Sequence, residues 1–357
     1  MGRSSRHSSR VIAGLLLVVV VLGLVSVMHR TERTKADPAP VNTGPANPPA
    51  TRPESTPAQD SQPRTTITPQ RRSEPSSPQP TTGPSTQPAQ ARIPVASKTA
   101  LADASALRAA GKTLQARKIL NDALLSGTLS APEADAARAQ IAELNQSIIF
   151  STTRFADDEF GGTYSVQPGD VLQRIASRFD VTPEVLQKLN GLSDPRKLRA
   201  GATIKVIRGP FHAVVSKKRF EIDLYIGSLP GVPATGTATP MYVRSFRVGL
   251  GKDDSTPVGL WKVKPQNKLR NPTYYSPRGE GIIDADDPEN PLGERWIGLE
   301  GIDGHAVGKE SYGIHGTIDP KSIGKMESMG CIRLLNEDVE WVFDLLTEGK
   351  SYVQIVD

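Results

Sequence analysis

The sequence contains a single cysteine, Cys331, which excludes an intramolecular disulfide framework and a thiolate-rich zinc site. Aromatic residues make up only 5%, and none precedes Phe150. All three tryptophans (Trp261, Trp296, Trp341) fall in the last third, where the largest aromatic-bearing core is therefore expected. There is no basic surplus outside the first 35 residues: Arg3, Arg6, Arg10, Arg30, Arg33 and Lys35 against Glu32 account for the whole net charge of +5. The remainder is balanced, so a nucleic-acid partner is not expected. At 357 residues the chain is long enough for two or three compact units.

What is present is distributed unevenly. A basic leader, residues 1–10, precedes an uncharged apolar run over 11–28. As a helix that run would extend about 27 Å, close to the hydrocarbon thickness of a bilayer. It is expected to be a transmembrane anchor, with a cleavable signal as the alternative; the run ends without a small-x-small cleavage site. Residues 31–97 carry 15 of the 30 prolines and no aromatic side chain. Such a composition buries too little apolar surface to offset its ordering entropy, so a disordered Pro/Ser/Thr-rich linker is expected.

Over 98–149 the apolar spacing is helical, interrupted at Gly111, and Ser130-Ala131-Pro132-Glu133 carries the signature of a capped helix start. Three helices are expected there, as a spacer or dimerising element. Residues 163–207 read strand, helix, helix, strand. Pro168-Gly169-Asp170 breaks the first strand, Asp170 is placed to cap a helix, and Thr182-Pro183-Glu184 starts a second helix that Asn190-Gly191 ends. The ordered set Val-x-Pro-Gly-Asp-x-Leu, Ile-Ala-x-x-Phe and Leu-x-x-Leu-Asn-Gly-Leu resembles a LysM domain along its whole length. That resemblance implies binding of N-acetylglucosamine-containing glycan strands. By position, the contacts would be Gly169, Asp170, Val171, Asn190, Gly191 and Leu192.

From Pro210 onward strands dominate. They are expected near 212–216, 220–226, 241–250, 258–264, 295–299 and 351–356, with one helix that Asn336 caps and Gly349 ends. Lys262, Lys264, Lys268 and Arg270 read as an ordinary charged strand face. His212 and His305 form no compact ligand pair with Cys331, so no metal site is expected. Cys331 stands in Ser328-Met329-Gly330-Cys331-Ile332-Arg333, sixteen residues after His315 in Ile314-His315-Gly316-Thr317. A thiol needs a base or a positive field to become nucleophilic near neutral pH, and an imidazole supplies either. The Gly330 and Cys331 N–H groups could serve as oxyanion donors, and Arg333 could present a donor fork to a carboxylate.

These residues, with Thr256-Pro257-Val258-Gly259, Asn290-Pro291-Leu292-Gly293, Trp296-Ile297-Gly298-Leu299 and Ser322-Ile323-Gly324, resemble the YkuD-type L,D-transpeptidase catalytic domain over 210–357. The resemblance implies a mainly β, β-sandwich-like catalytic domain beside a small βααβ LysM domain and a short α-helical module. It also implies a Cys331 nucleophile and a His315 base oriented by a main-chain carbonyl, since Gly316 follows the histidine. Ser328 and Arg333 would face substrate. Some members carry a second histidine where this chain has Met329. The implied activity is formation of 3-3 cross-links between peptidoglycan stem peptides, without metal or cofactor. L,D-carboxypeptidase action, protein anchoring and a non-catalytic peptidoglycan scaffold are the alternatives. The expected location is the cell envelope, single-pass membrane anchored, with the C-terminal domains in the periplasm or facing the wall.

Overall fold

The computed structural model describes residues 96–357, apart from 233, 234 and 237. The leader, the apolar run 11–28 and nearly all of the linker lie outside the described residues. Among the described residues no helix is long and apolar enough to cross a membrane. The expected membrane anchor, and with it the membrane as a partner and the membrane-anchored location, falls on residues outside those described, and the described residues give it no support.

The helical module comprises α1 (Ala96–Ala109), α2 (Thr113–Leu125) and α3 (Ala131–Ile148). Gly111, at φ 72°, breaks α1 from α2 in a conformation that side chains with a Cβ rarely adopt. The Glu133 carboxylate accepts the Ser130 N–H at 2.9 Å and completes the capping box of α3. Ala104, Ala116, Leu120, Ala137, Ile141 and Ile148 are buried at the helix seams.

The LysM unit comprises β1 (Gly161–Ser165), α4 (Leu172–Arg178), α5 (Pro183–Leu189) and β2 (Thr203–Ile207), with β1 and β2 antiparallel. Asp170 does not cap α4. Its carboxylate accepts the Tyr164 hydroxyl at 2.7 Å and the Gln167 N–H at 2.9 Å, closing the β1–α4 turn instead. Thr182 does cap α5, accepting the Val185 N–H at 3.2 Å.

The rest of the chain forms a mixed eight-stranded sheet. Its strands are β3 (Phe211–Ser216), β4 (Glu221–Ile226), β5 (Met241–Arg247), β7 (Gly259–Arg270), β10 (Arg295–Gly301), β11 (Tyr312–His315), β13 (Ile332–Arg333) and β14 (Tyr352–Val356). They lie in the order β13-β11-β10-β7-β14-β3-β4-β5. Short pairs β6 (Leu250–Gly251) with β12 (Met326–Ser328), and β8 (Tyr274–Tyr275) with β9 (Ile282–Ile283), stand beside it. Helix α6 (Asn336–Leu345) buries Val339, Val342 and Phe343. Its N-cap is Leu335, not Asn336, and it stops at Leu345, short of Gly349. Lys268 is no ordinary member of a charged face. Its ammonium donates to the Phe343 and Leu346 carbonyls at 2.5 and 2.6 Å, where a cation also meets the negative end of the helix dipole. Burial there pulls its pKa down to about 8.

The helical module is not a free spacer. Strand β5 is an edge strand, and the backbone groups at its start are taken up by two buried asparagines. Asn121 accepts the Tyr242 N–H and donates to the Pro240 carbonyl, both at 2.9 Å, imitating a neighbouring strand. Asn145 donates to the Tyr242 and Val243 carbonyls at 3.0 and 3.1 Å. An edge covered in this way cannot template pairing with another chain. Asn145→Ala leaves those buried carbonyls without a donor, and the expected loss is about 1–3 kcal/mol of unfolding free energy. Urea denaturation of the whole chain measures it; an unchanged midpoint would show that the edge does not need this side chain.

Candidate active site

The site grows from the pairing of two short strands. Parallel β11 and β13 set Ile314 opposite Ile332 and His315 opposite Arg333. Side chains alternate along a strand, so the two isoleucines go inward, where both are buried, and His315 and Arg333 share the other face. Cys331 directly precedes β13, and its thiol faces the β11 side of the pair at Ser311 and Gly313.

The Cys331 backbone is held by its neighbours. The Ser328 hydroxyl donates to the Cys331 carbonyl at 2.6 Å and accepts the Gly330 N–H at 3.1 Å. Buried Thr256 donates to the Gly330 carbonyl at 3.0 Å and accepts the Gly251 N–H at 2.8 Å. Gly330 has φ 127°, and a Cβ there would sit 2.6 Å from the Tyr312 ring and 2.9 Å from the Ser255 carbonyl. Only glycine fits.

These bonds revise two expectations. Ser328 is buried and its hydroxyl is committed to the turn, so the structure places it as a brace, not on the substrate side. The Gly330 N–H is likewise bonded to Ser328, which leaves the Cys331 N–H as the oxyanion candidate.

His315 is buried, with Nδ1 2.7 Å from the Gly316 carbonyl oxygen. That contact places the ring proton on Nδ1 and leaves Nε2 with its lone pair unprotonated. The ring stacks on Trp296, its cross-strand partner, at 5.9 Å and 25°, and the Trp296 indole N–H donates to Asn267 Oδ1 at 3.0 Å. Gly316 lies against Asn336: a Cβ would come 2.1 Å from Asn336 Oδ1, which accepts the Thr317 N–H at 3.1 Å. The Asn336 side chain thus holds the loop after the histidine. Gly293 of the Asn-Pro-Leu-Gly motif leaves room for the same amide.

Burial lowers the His315 pKa to about 4, and the nearby Arg333 charge pushes in the same direction. Burial raises the half-buried Cys331 thiol to about 11, opposed by the Gly313 backbone and Arg333. The thiol donates to the Ser311 carbonyl at 3.7 Å. The resting pair is therefore neutral imidazole and neutral thiol. Arg333 Nε is buried without a hydrogen-bond partner.

In the LysM unit Gly169, Val171 and Gly191 are exposed, whereas Leu192 packs against the core. The polar atoms of Asn190 are used internally: its amide donates to the Leu186 and Lys205 carbonyls and accepts the Lys205 N–H at 2.7 Å. Thr256, Trp296 and Asn336 are positioning residues that the motif residues alone did not assign. Their signal was membership in the flanking Thr-Pro-Val-Gly and Trp-Ile-Gly-Leu motifs and a place at the helix start.

Comparison with known proteins adds a family assignment. Residues 235–355 match the model of the L,D-transpeptidase catalytic domain, and residues 164–206 match that of the LysM domain. Proteins named YkuD from Bacillus licheniformis and Bacillus subtilis, both named as L,D-transpeptidases, are each 30% identical, over 52% of this chain and 94% of theirs. A Bacillus subtilis protein named as L,D-transpeptidase YqjB is 42% identical over 29% of this chain, which spans about half (54%) of that relative. The chain belongs to the YkuD-type L,D-transpeptidases and carries an N-terminal LysM domain and an L,D-transpeptidase-type enzymatic domain.

Two outcomes follow from the site. Thr256→Val removes the hydroxyl bonds to the Gly330 carbonyl and the Gly251 N–H, leaving the Ser328 brace, and should lower stability by about 1–3 kcal/mol while slowing acylation of Cys331; unaltered acylation would remove Thr256 from the site. Because the thiol titrates high, alkylation of Cys331 by iodoacetamide should climb about tenfold per pH unit from pH 7 to 10. A plateau already reached at pH 7 would show a preformed thiolate instead.

Proposed function

We propose that the chain is a peptidoglycan L,D-transpeptidase that forms 3-3 cross-links through a thioester on Cys331, with glycan held by LysM. The observation that carries this reading is the parallel pairing of β11, which ends on His315, with β13, which begins one residue after Cys331, together with His315 Nδ1 committed to the Gly316 carbonyl. The proposed divisions are 98–149 for the helical module, 163–207 for LysM and 210–357 for the catalytic domain.

The thiol attacks the carbonyl carbon of the third residue of a tetrapeptide stem as its proton passes to His315 Nε2. A neutral imidazole with pKa about 4 is ready to accept it at pH 7. The carbonyl electron pair moves onto oxygen, where the Cys331 N–H donates to it. Collapse breaks the bond to D-Ala, whose amine takes the proton from Nε2, and a thioester remains. A side-chain amine of a second stem then attacks, gives its proton to Nε2, and the sulfur leaves and recovers it. The Arg333 guanidinium, on the face of His315, would pair with the stem carboxylate. In LysM, glycan would lie over Gly169, Val171 and Gly191, with Asp170, Asn190 and Leu192 holding the loops.

Mass spectrometry of products from a disaccharide-tetrapeptide tests the reading, with Cys331→Ala alongside. The expected product is a cross-linked dimer lighter by one D-Ala and absent from the variant. Tripeptide alone would identify water as acceptor, and turnover by Cys331→Ala would remove the nucleophile. His315→Ala should lower kcat by about 10²–10⁴-fold, the usual worth of a general base. An unchanged kcat across pH 6 to 9 would overturn that role.

A further inference from the structure

The LysM unit is not suspended from the catalytic sheet. Only residues 208–210 separate β2 from β3, and the Gly209 N–H donates to the Phe179 carbonyl at 2.8 Å. A Cβ on Gly209 would lie 2.3 Å from the Asp180 carbonyl oxygen, so this connector is pressed onto the α4–α5 turn.

A second set of contacts joins that turn and α5 to the C-terminal end of α6. The Thr182 hydroxyl donates to the Asp344 carbonyl, and Lys188 Nζ stands 2.5 Å from the Asp344 carboxylate and 4.3 Å from the Trp341 ring centre. Arg270 pairs with Glu184 at 2.9 Å, Lys350 pairs with Asp180, and the Thr347 hydroxyl donates to the Asp180 carbonyl at 3.4 Å. Between Val185, Leu189, Trp341 and Leu345 only about 10 Å³ is left open.

The third hold is Lys205 on β2. Its ammonium lies within 2.7 to 3.2 Å of the Ile148, Ile149, Ser151 and Thr153 carbonyls, which share its three N–H donors at the end of α3, and burial lowers its pKa to about 8. LysM is thus fixed on the helical module, on α6 and through the short connector. The far end of α6 carries Asn336, which supports the loop after His315.

We propose that this clamp makes LysM a fixed spacer, so that glycan held by it presents stems to Cys331 in one register, and that the preferred substrate is a stem still attached to its glycan strand. The inference rests on the proposed glycan-holding role of LysM. A flexible tether raises local concentration for any stem within reach; a clamped one does so only for stems at the matching distance and angle.

The test compares the full chain with two variants: Lys188→Ala/Lys350→Ala, and a ten-residue Gly/Ser insertion between Arg208 and Gly209. None of these positions touches the catalytic groups. The unaltered protein should turn over glycan-linked tetrapeptide stems at least tenfold better, in kcat/KM, than the soluble disaccharide-tetrapeptide. Both variants should lose most of that advantage while keeping soluble turnover within twofold and sacculus binding unchanged.

Spin labels at Ser177 and Lys309 in a Cys331→Ala background report the clamp without activity, and a single narrow distance is expected that broadens in the insertion variant. A broad distribution in the unaltered joint, or variants that keep the full advantage, would overturn the proposal. A narrow distance in a protein that fails to pull down sacculi would overturn the glycan-holding role itself, and with it the register.

Discussion

The chemistry of this chain depends on how closely the backbone carrying Gly330 and Cys331 can approach its neighbours. Gly251 and Gly330 face each other so tightly that a Cβ on Gly251 would sit 2.7 Å from the Gly330 Cα. Into this contact come two hydroxyls, of Thr256 and Ser328, which satisfy polar groups that the tight packing shuts away from water. The result is a cysteine whose main chain is fixed on both sides while its side chain stays only partly buried. That placement is obtained with hydroxyls and absent side chains rather than with charge.

The same burial that gives rigidity sets the electrostatics. Desolvation drives the imidazole and the thiol apart in pKa, to about 4 and about 11, so that both are uncharged at rest. Arg333 works against desolvation at Cys331 and with it at His315, and in both cases it disfavours a protonated imidazole or favours a thiolate. A positive group beside both therefore eases loss of the thiol proton but opposes its uptake by the imidazole nitrogen.

Much of this was legible in the residues. The longer strands announce themselves by alternation, α6 by its apolar stripe, and Cys331 and His315 by their motifs. The strands that hold the motifs were not visible: β11 and β13 have four and two residues, contain glycine or depend on one another, and make sense only once paired. Nor could the sequence show that Ser328 and the Gly330 N–H face each other, because their bond depends on a turn at φ 127° packed so closely against Tyr312 and Ser255, from elsewhere in the chain, that no Cβ fits.

Buried polar residues are the other class that pattern reading misplaces. Arg117, Asn121, Asn145 and Lys205 occupy positions that hydropathy assigns to solvent, yet all four are almost inaccessible. Each answers a backbone or a charge left over by another element. Asn121 and Asn145 complete the open edge of β5, Lys205 closes α3, and Arg117 meets the equally buried Asp158. Their partners lie between 28 and 121 residues away in sequence, beyond any local periodicity. Because an unpaired buried amide or ammonium costs far more than a paired one returns, these residues act chiefly as constraints: they make one docking of helices, LysM and sheet acceptable and penalise the alternatives. Three modules that composition alone presents as separate beads are thereby obliged to fold against one another.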